Sequence, residues 1–104
     1  MIYKVILSDF AKLQLDDILF YISMTLGNET AARSVLQDAE ETMQKLTQIG
    51  SSLKICDEPE LAQYGYRKIH FSSHRYIMLY TLEGGEAHID RIYHELEDYK
   101  NLPD

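Results

Sequence analysis

The stretch that decides the fold is Arg75-Tyr76-Ile77-Met78-Leu79-Tyr80-Thr81-Leu82-Glu83-Gly84-Gly85-Glu86-Ala87-His88-Ile89-Asp90-Arg91-Ile92-Tyr93-His94. It reads as two strands rich in aromatic and β-branched residues, Arg75 to Leu82 and Ala87 to Tyr93, joined at Glu83-Gly84-Gly85-Glu86, where glycine supplies the positive φ of a hairpin turn. Tyr76 and Tyr80 alternate with Ile77 and Leu79, so one face is aromatic and the other aliphatic, and either could meet the rest of the protein. Immediately upstream, Tyr66 to Phe71 is a further strand candidate, and Ser72-Ser73-His74 forms the turn between. These segments make a three-strand antiparallel meander.

Further towards the N-terminus the period changes to that of helices. Ala11, Leu15, Ile18, Leu19, Ile22 and Leu26 form one apolar stripe, and Ala32, Val35, Leu36, Ala39, Met43 and Leu46 a second. Ser8 and Asn28 are natural N-caps, with Asp9 and Glu29 favourably placed in the first turns. Gly27 and Gly50 are the stops. So short a connection predicts an antiparallel helical hairpin. Before it, Tyr3 to Leu7 reads as a strand that joins the meander at an edge or in its middle. Gly50 to Glu60 reads as a loop, and Glu95 to Leu102 allows one or two helical turns. The order is β-α-α-β-β-β, an α+β class, and 104 residues predict a single domain spanning 1–104.

Composition narrows the function. No apolar run approaches the roughly 20 residues of a membrane span, and the first residues lack a signal-peptide pattern, so a cytoplasmic protein is expected. Cys56, the single cysteine, has no internal disulfide partner. No metal-ligand spacing, phosphate loop or dinucleotide fingerprint is present, so neither metal nor cofactor is expected. The net charge of −7 argues against a general nucleic-acid binder. Yet residues 61–82 hold Arg67, Lys68 and Arg75 and no acid, together with His70 and His74.

The chemical candidates follow from that stretch and the last strand. Tyr66, Lys68 and His70 share one strand face, on which a base could stack and a phosphate be neutralised, or which could be merely solvated. Arg67, Ile69 and Phe71 share the other. Arg75 opens the next strand, a candidate phosphate ligand or ion-pair partner. Arg91 and Tyr93 lie on one face and His94 on the opposite one; acidic neighbours make His94 a better general acid than base. Cys56 sits in an acidic loop that does not activate a thiol.

Taken together, Tyr3-Lys4-Val5-Ile6-Leu7-Ser8, the helix with Leu15-Asp16-Asp17-Ile18, the Leu26-Gly27-Asn28 corner, and the closing Ile89-Asp90-Arg91-Ile92-Tyr93-His94 with Asp98-Tyr99 resemble the RelE/ParE toxin superfamily, nearer the ParE branch of plasmid-stabilisation proteins. The resemblance implies the toxin component of a type II toxin–antitoxin system that inhibits growth. A cognate antitoxin segment would neutralise it, and operator DNA would be met only through that antitoxin. ParE-type members act on DNA gyrase. RelE-type members are metal-independent ribonucleases that cut messenger RNA on the ribosome, and for that activity the matching residues are Arg75, His94 and Tyr99. Many relatives follow the final histidine with basic residues; here Glu95-Leu96-Glu97 stands instead, where cleavage needs positive charge. Arg67, Lys68, His70, Arg75 and Arg91 are the expected target- or antitoxin-binding residues, and a non-toxic antitoxin-binding relative is a third reading.

Overall fold

The computed structural model describes residues 2–97. Strand β1 is Lys4–Leu7 and helix α1 is Asp9–Phe20. Ser8 joins them: its Oγ accepts from the Ala11 amide at 3.0 Å, satisfying an otherwise orphaned donor of the first turn, and donates to the Asp90 carbonyl at 2.9 Å. The helical path continues through a π-turn at Tyr21–Thr25 and breaks at Gly27, whose φ of 66° suits a residue without Cβ. Asn28 caps α2, Glu29–Ile49, by accepting from Ala31 at 3.0 Å. A 3₁₀ turn at Gly50–Ser52 follows.

The remaining elements are a short helix α3, Pro59–Ala62, and strands β2 (Arg67–His70), β3 (Tyr76–Glu83) and β4 (Glu86–His94). Helix α3 falls in a stretch that reads as loop from sequence: four residues are too few for a periodic signal, and Pro59 at the first helical position is its only mark. The strand boundaries fall within a residue of those expected.

The sheet order is β1-β4-β3-β2. The three later strands are antiparallel neighbours, as the meander predicts, while β1 lies at the edge and runs parallel to β4, so the sheet is mixed. The helical hairpin carries the chain across one face of the sheet, from β1 at one edge to β2 at the other, and β4 reaches the side of β1 only after β2 and β3. Past the end of β1, α1 takes over its role along β4: the Ser8 amide donates to Ile89 O at 2.9 Å, and Gln14 Oε1 accepts from the Ile92 amide at 2.7 Å.

The aromatic face meets the helices. Met78, Tyr80, Ile89 and Ile92 pack with Leu15, Val35, Ala39 and Leu46, and Tyr76 and Leu82 border them. Tyr80 is fully buried and donates its hydroxyl to Gly50 O at 2.6 Å, which removes the cost of enclosing a polar tip. Leu26 and Leu36, read as stripe members, are exposed; on α2 the inward positions go instead to Asp38 and Thr42. Thr42 satisfies its hydroxyl on the Asp38 carbonyl at 2.7 Å.

The opposite face of the sheet has a smaller core of its own. Cys56 and Leu61, from the segment before β2, cover Leu79 and Tyr93, with Tyr66 at the border. A bulge shapes this face: Leu79 pairs with Arg91 but Tyr80 with Ile89, leaving Asp90 as the extra residue. Asp90 accepts a short hydrogen bond from the Tyr66 hydroxyl. Burial, and then this carboxylate, push the Tyr66 phenol up to about 12.

Candidate functional site

The acid-free stretch is cationic in sequence but neutralised in space. Arg67, on the helix-facing side of β2, donates its guanidinium to the carbonyls of Leu53 and Ser51, so it fastens the preceding loop. On the other side, Lys68 Nζ lies 3.3 Å from Glu58 Oε2, with both side chains largely enclosed. His70 and Arg75 converge on a single carboxylate: Arg75 Nε is 2.6 Å from Glu95 Oε1, and His70 Nδ1 is 3.7 Å from Oε2. The Glu95 amide also donates to Arg75 O at 2.9 Å, which extends the β3–β4 ladder by one rung and fixes the carboxylate in place. The Arg75 hydrogen bond holds the Glu95 carboxyl below the usual range.

The other expected site residues are elsewhere. Arg91 stacks its guanidinium 4.7 Å above the Phe10 ring at the start of α1 and also engages the Tyr66 and Tyr93 hydroxyls. His94 is on the helix-facing side, edge-on to Tyr76 with 5.3 Å between ring centroids. Its Nδ1 accepts from the Leu96 amide at 3.2 Å, so that nitrogen carries no proton in this arrangement. Tyr99 lies outside the described residues. The structure thus unites His70 with Arg75, places Lys68 one side chain along the same face, and sends Arg67 and His94 to the opposite one.

A phosphate brought to His70 and Arg75 meets Glu95 first. The site's cations would have to exchange an intramolecular carboxylate for the ligand, and the field offered to a developing oxyanion is correspondingly weakened. Among the described residues no group of histidine, cysteine and carboxylate side chains could hold a metal ion.

Two further features escape the sequence reading. The first is a second apolar stripe on α1 and its π-turn. Phe10, Leu13, Phe20 and Met24 follow one another at spacings of three, seven and four, on a common helical face, and Leu13, Phe20 and Met24 are each more than 60% exposed. Tyr21 and Leu26 extend the surface. Its signal was available: α1 has apolar residues beyond those needed for one buried stripe. The second feature is Asp38, buried on α2 beneath the β2–β3 turn. It accepts from the amides of Ser72 at 3.0 Å and Ser73 at 2.9 Å and contacts His74 Nδ1 at 2.7 Å. Its mark was a carboxylate one position before Ala39 on the α2 stripe, where an unpartnered charge would be very costly.

Comparison with known proteins bears on the whole of this architecture. A family model described as the ParE toxin of type II toxin-antitoxin system, parDE, matches residues 5–99. A solved chain titled "Chromosomal ParDE TA system from P. aeruginosa" is similar in fold, with a TM-score of 0.70 and 20% identity over 88% of this chain and 94% of that one. No curated protein matches in sequence.

Proposed function

Because the chain belongs to the ParE toxin family of type II toxin–antitoxin systems, we propose that it arrests growth by binding a protein target, DNA gyrase on the precedent of its branch, rather than by cleaving RNA. The observation that carries this reading is Glu95 seated on Arg75 and His70. A ribonuclease of this fold needs its strand cations turned to the scissile phosphate, and here they face a carboxylate supplied by the chain itself.

The cognate antitoxin covers the exposed stripe of α1. Four large apolar side chains on one helical face form a surface that isolated soluble proteins seldom leave bare. Asp9 and Asp16 flank it and Asp17 interrupts it between Leu13 and Phe20, opposed on the same helix only by Lys12, so the segment that fits is amphipathic and basic. On the strand side, Arg75 is more open than Lys68 or His70, and an acidic antitoxin residue there would exchange with Glu95.

Two measurements test the proposal. Induction of the chain alone should arrest growth with transcripts intact, and the purified protein should inhibit gyrase supercoiling. Discrete message cuts that vanish in Arg75→Ala would replace it with the ribonuclease reading. Normal growth on induction would leave a non-toxic antitoxin-binding relative. For the antitoxin surface, Leu13→Glu with Met24→Glu should abolish capture by the antitoxin while leaving the fold intact; undiminished capture would remove α1 as the seat.

A further inference from the structure

Asp38, His74 and Ser34 stand in a line that has no part in the proposed toxin action. Asp38 lies beneath the β2–β3 turn, only 3% exposed, and holds His74 Nδ1 at 2.7 Å. With Nδ1 donating to the carboxylate, Nε2 is the ring nitrogen turned outward, and in the neutral ring it carries the lone pair. Ser34, exposed one turn earlier on α2, places its Oγ 3.5 Å from Nε2. The three residues border an open polar pocket of about 260 Å³ together with Gln37, Glu41 and Ser73.

We propose that Ser34 is a nucleophile activated by His74, oriented in turn by Asp38, and that the pocket accepts small acyl esters, with a preference for those carrying a cationic group. The roles follow from the geometry. A serine hydroxyl attacks only when a base takes its proton, and a neutral imidazole held through its other nitrogen by a buried carboxylate is such a base. Burial raises the Asp38 carboxyl, but His74 and the amides of Ser73 and Ser72 outweigh it, so the group stays ionised and able to steady an imidazolium. The 3.5 Å separation is that of a resting site, which tightens when a substrate is bound.

The step balances without any further reagent. Ser34 Oγ bonds to the acyl carbon as its proton passes to His74 Nε2. The adduct collapses, the bond to the leaving oxygen breaks, and His74 returns the proton to that oxygen. Water then repeats the sequence on the acyl-serine, releasing a carboxylic acid and restoring the hydroxyl. Gln37, three residues on and therefore on the same helix face, is the donor available to the transient oxyanion; at rest its Nε2 donates to Glu41 Oε1 at 3.2 Å. Glu41 supplies the negative charge that favours a cationic substrate.

The test uses the intact chain and a fluorophosphonate, which phosphonylates an activated serine with loss of fluoride. Mass spectrometry should place the adduct on Ser34, with Ser34→Ala and His74→Gln lowering the labelling rate at least tenfold and Ser51→Ala leaving it unchanged. Ser34 is exposed, so its removal does not endanger the fold; a denaturation midpoint for His74→Gln separates lost chemistry from lost structure. Acetylcholine should be hydrolysed in preference to its neutral isostere 3,3-dimethylbutyl acetate, and Glu41→Gln should reduce that preference several-fold. Labelling that persists in Ser34→Ala, or folded wild-type protein that neither labels nor cleaves either ester, overturns the proposal. Growth arrest and gyrase inhibition should be unaffected by Ser34→Ala, which keeps this inference separable from the toxin reading.

Discussion

Replacing Asp38 by alanine should cost the protein about 3 kcal/mol at neutral pH. The carboxylate accepts two backbone amides, at 3.0 and 2.9 Å, and holds the His74 ring at 2.7 Å. A hydrogen bond to a charged group contributes about 1.5–3 kcal/mol when enclosed. Ser72 and Ser73 are exposed, so water can rescue part of what their amides lose, and about 1 kcal/mol for each of the three contacts is the appropriate scale. At roughly 4–8 °C per kcal/mol for a domain of this size, Tm should fall by about 15 °C. The pH dependence gives a sharper check. The folded-state value is below the unfolded one, so the stabilisation is fully present above the ordinary carboxylate pKa of about 3.9 and is lost as pH falls through the folded value. Glu95 and Asp57 are shifted in the same direction, but they titrate in both proteins, and the difference between wild type and variant isolates Asp38. Urea denaturation of both proteins across the acid range is the assay. A loss below about 1 kcal/mol at neutral pH, or a loss that does not shrink in acid, would refute the account of how the β2–β3 turn is held.

Three further outcomes are expected. Tyr80→Phe should lower stability by about 1–2 kcal/mol in urea denaturation, because the buried Gly50 carbonyl loses its donor while the ring packing is kept. Gly27→Ala should cost about 1 kcal/mol, since the position requires φ of 66° and the space around it is open, so the penalty is conformational rather than steric; a denaturation midpoint within error of wild type would disprove this. Glu95→Gln should strengthen retention on a heparin column in a salt-sensitive manner by uncovering Arg75 and His70, with little change in thermal midpoint; unchanged elution would mean that Glu95 does not mask them.

Much of the architecture is legible in the sequence because its signals are local. Ser8, Gly27 and Asn28 mark the hairpin's ends through their own side chains or lack of one, and the Gly84-Gly85 pair announces the β3–β4 turn. The parallel seat of β1 beside β4 is not local, and nothing in Lys4 to Leu7 encodes it. The candidate site shows the same division. The cations could be named from their run in the sequence, and Glu95 was visible as a departure from the basic pattern of relatives. Their pairing was not visible: Glu58 is ten residues from Lys68, Glu95 twenty from Arg75, and Asp38 thirty-six from His74, and each pair meets only once the sheet and hairpin have formed. An acid-free stretch therefore said little about net field, because the compensating carboxylates come from other elements.

The parallel pairing of β1 with β4 also sets a timetable for biosynthesis. The first strand finds its neighbour only in Glu86–Ile89, and the Ser8–Asp90 bond that secures the junction closes a separation of 82 residues. While the chain is growing, its opening segment has no sheet to join, and the hairpin has only part of its floor. Synthesis at about 5–20 residues per second leaves the nascent polypeptide in that condition for several seconds. The native toxin surface therefore cannot assemble until the last strand has left the ribosome, and a message truncated before Glu86 yields a chain without its closing strand.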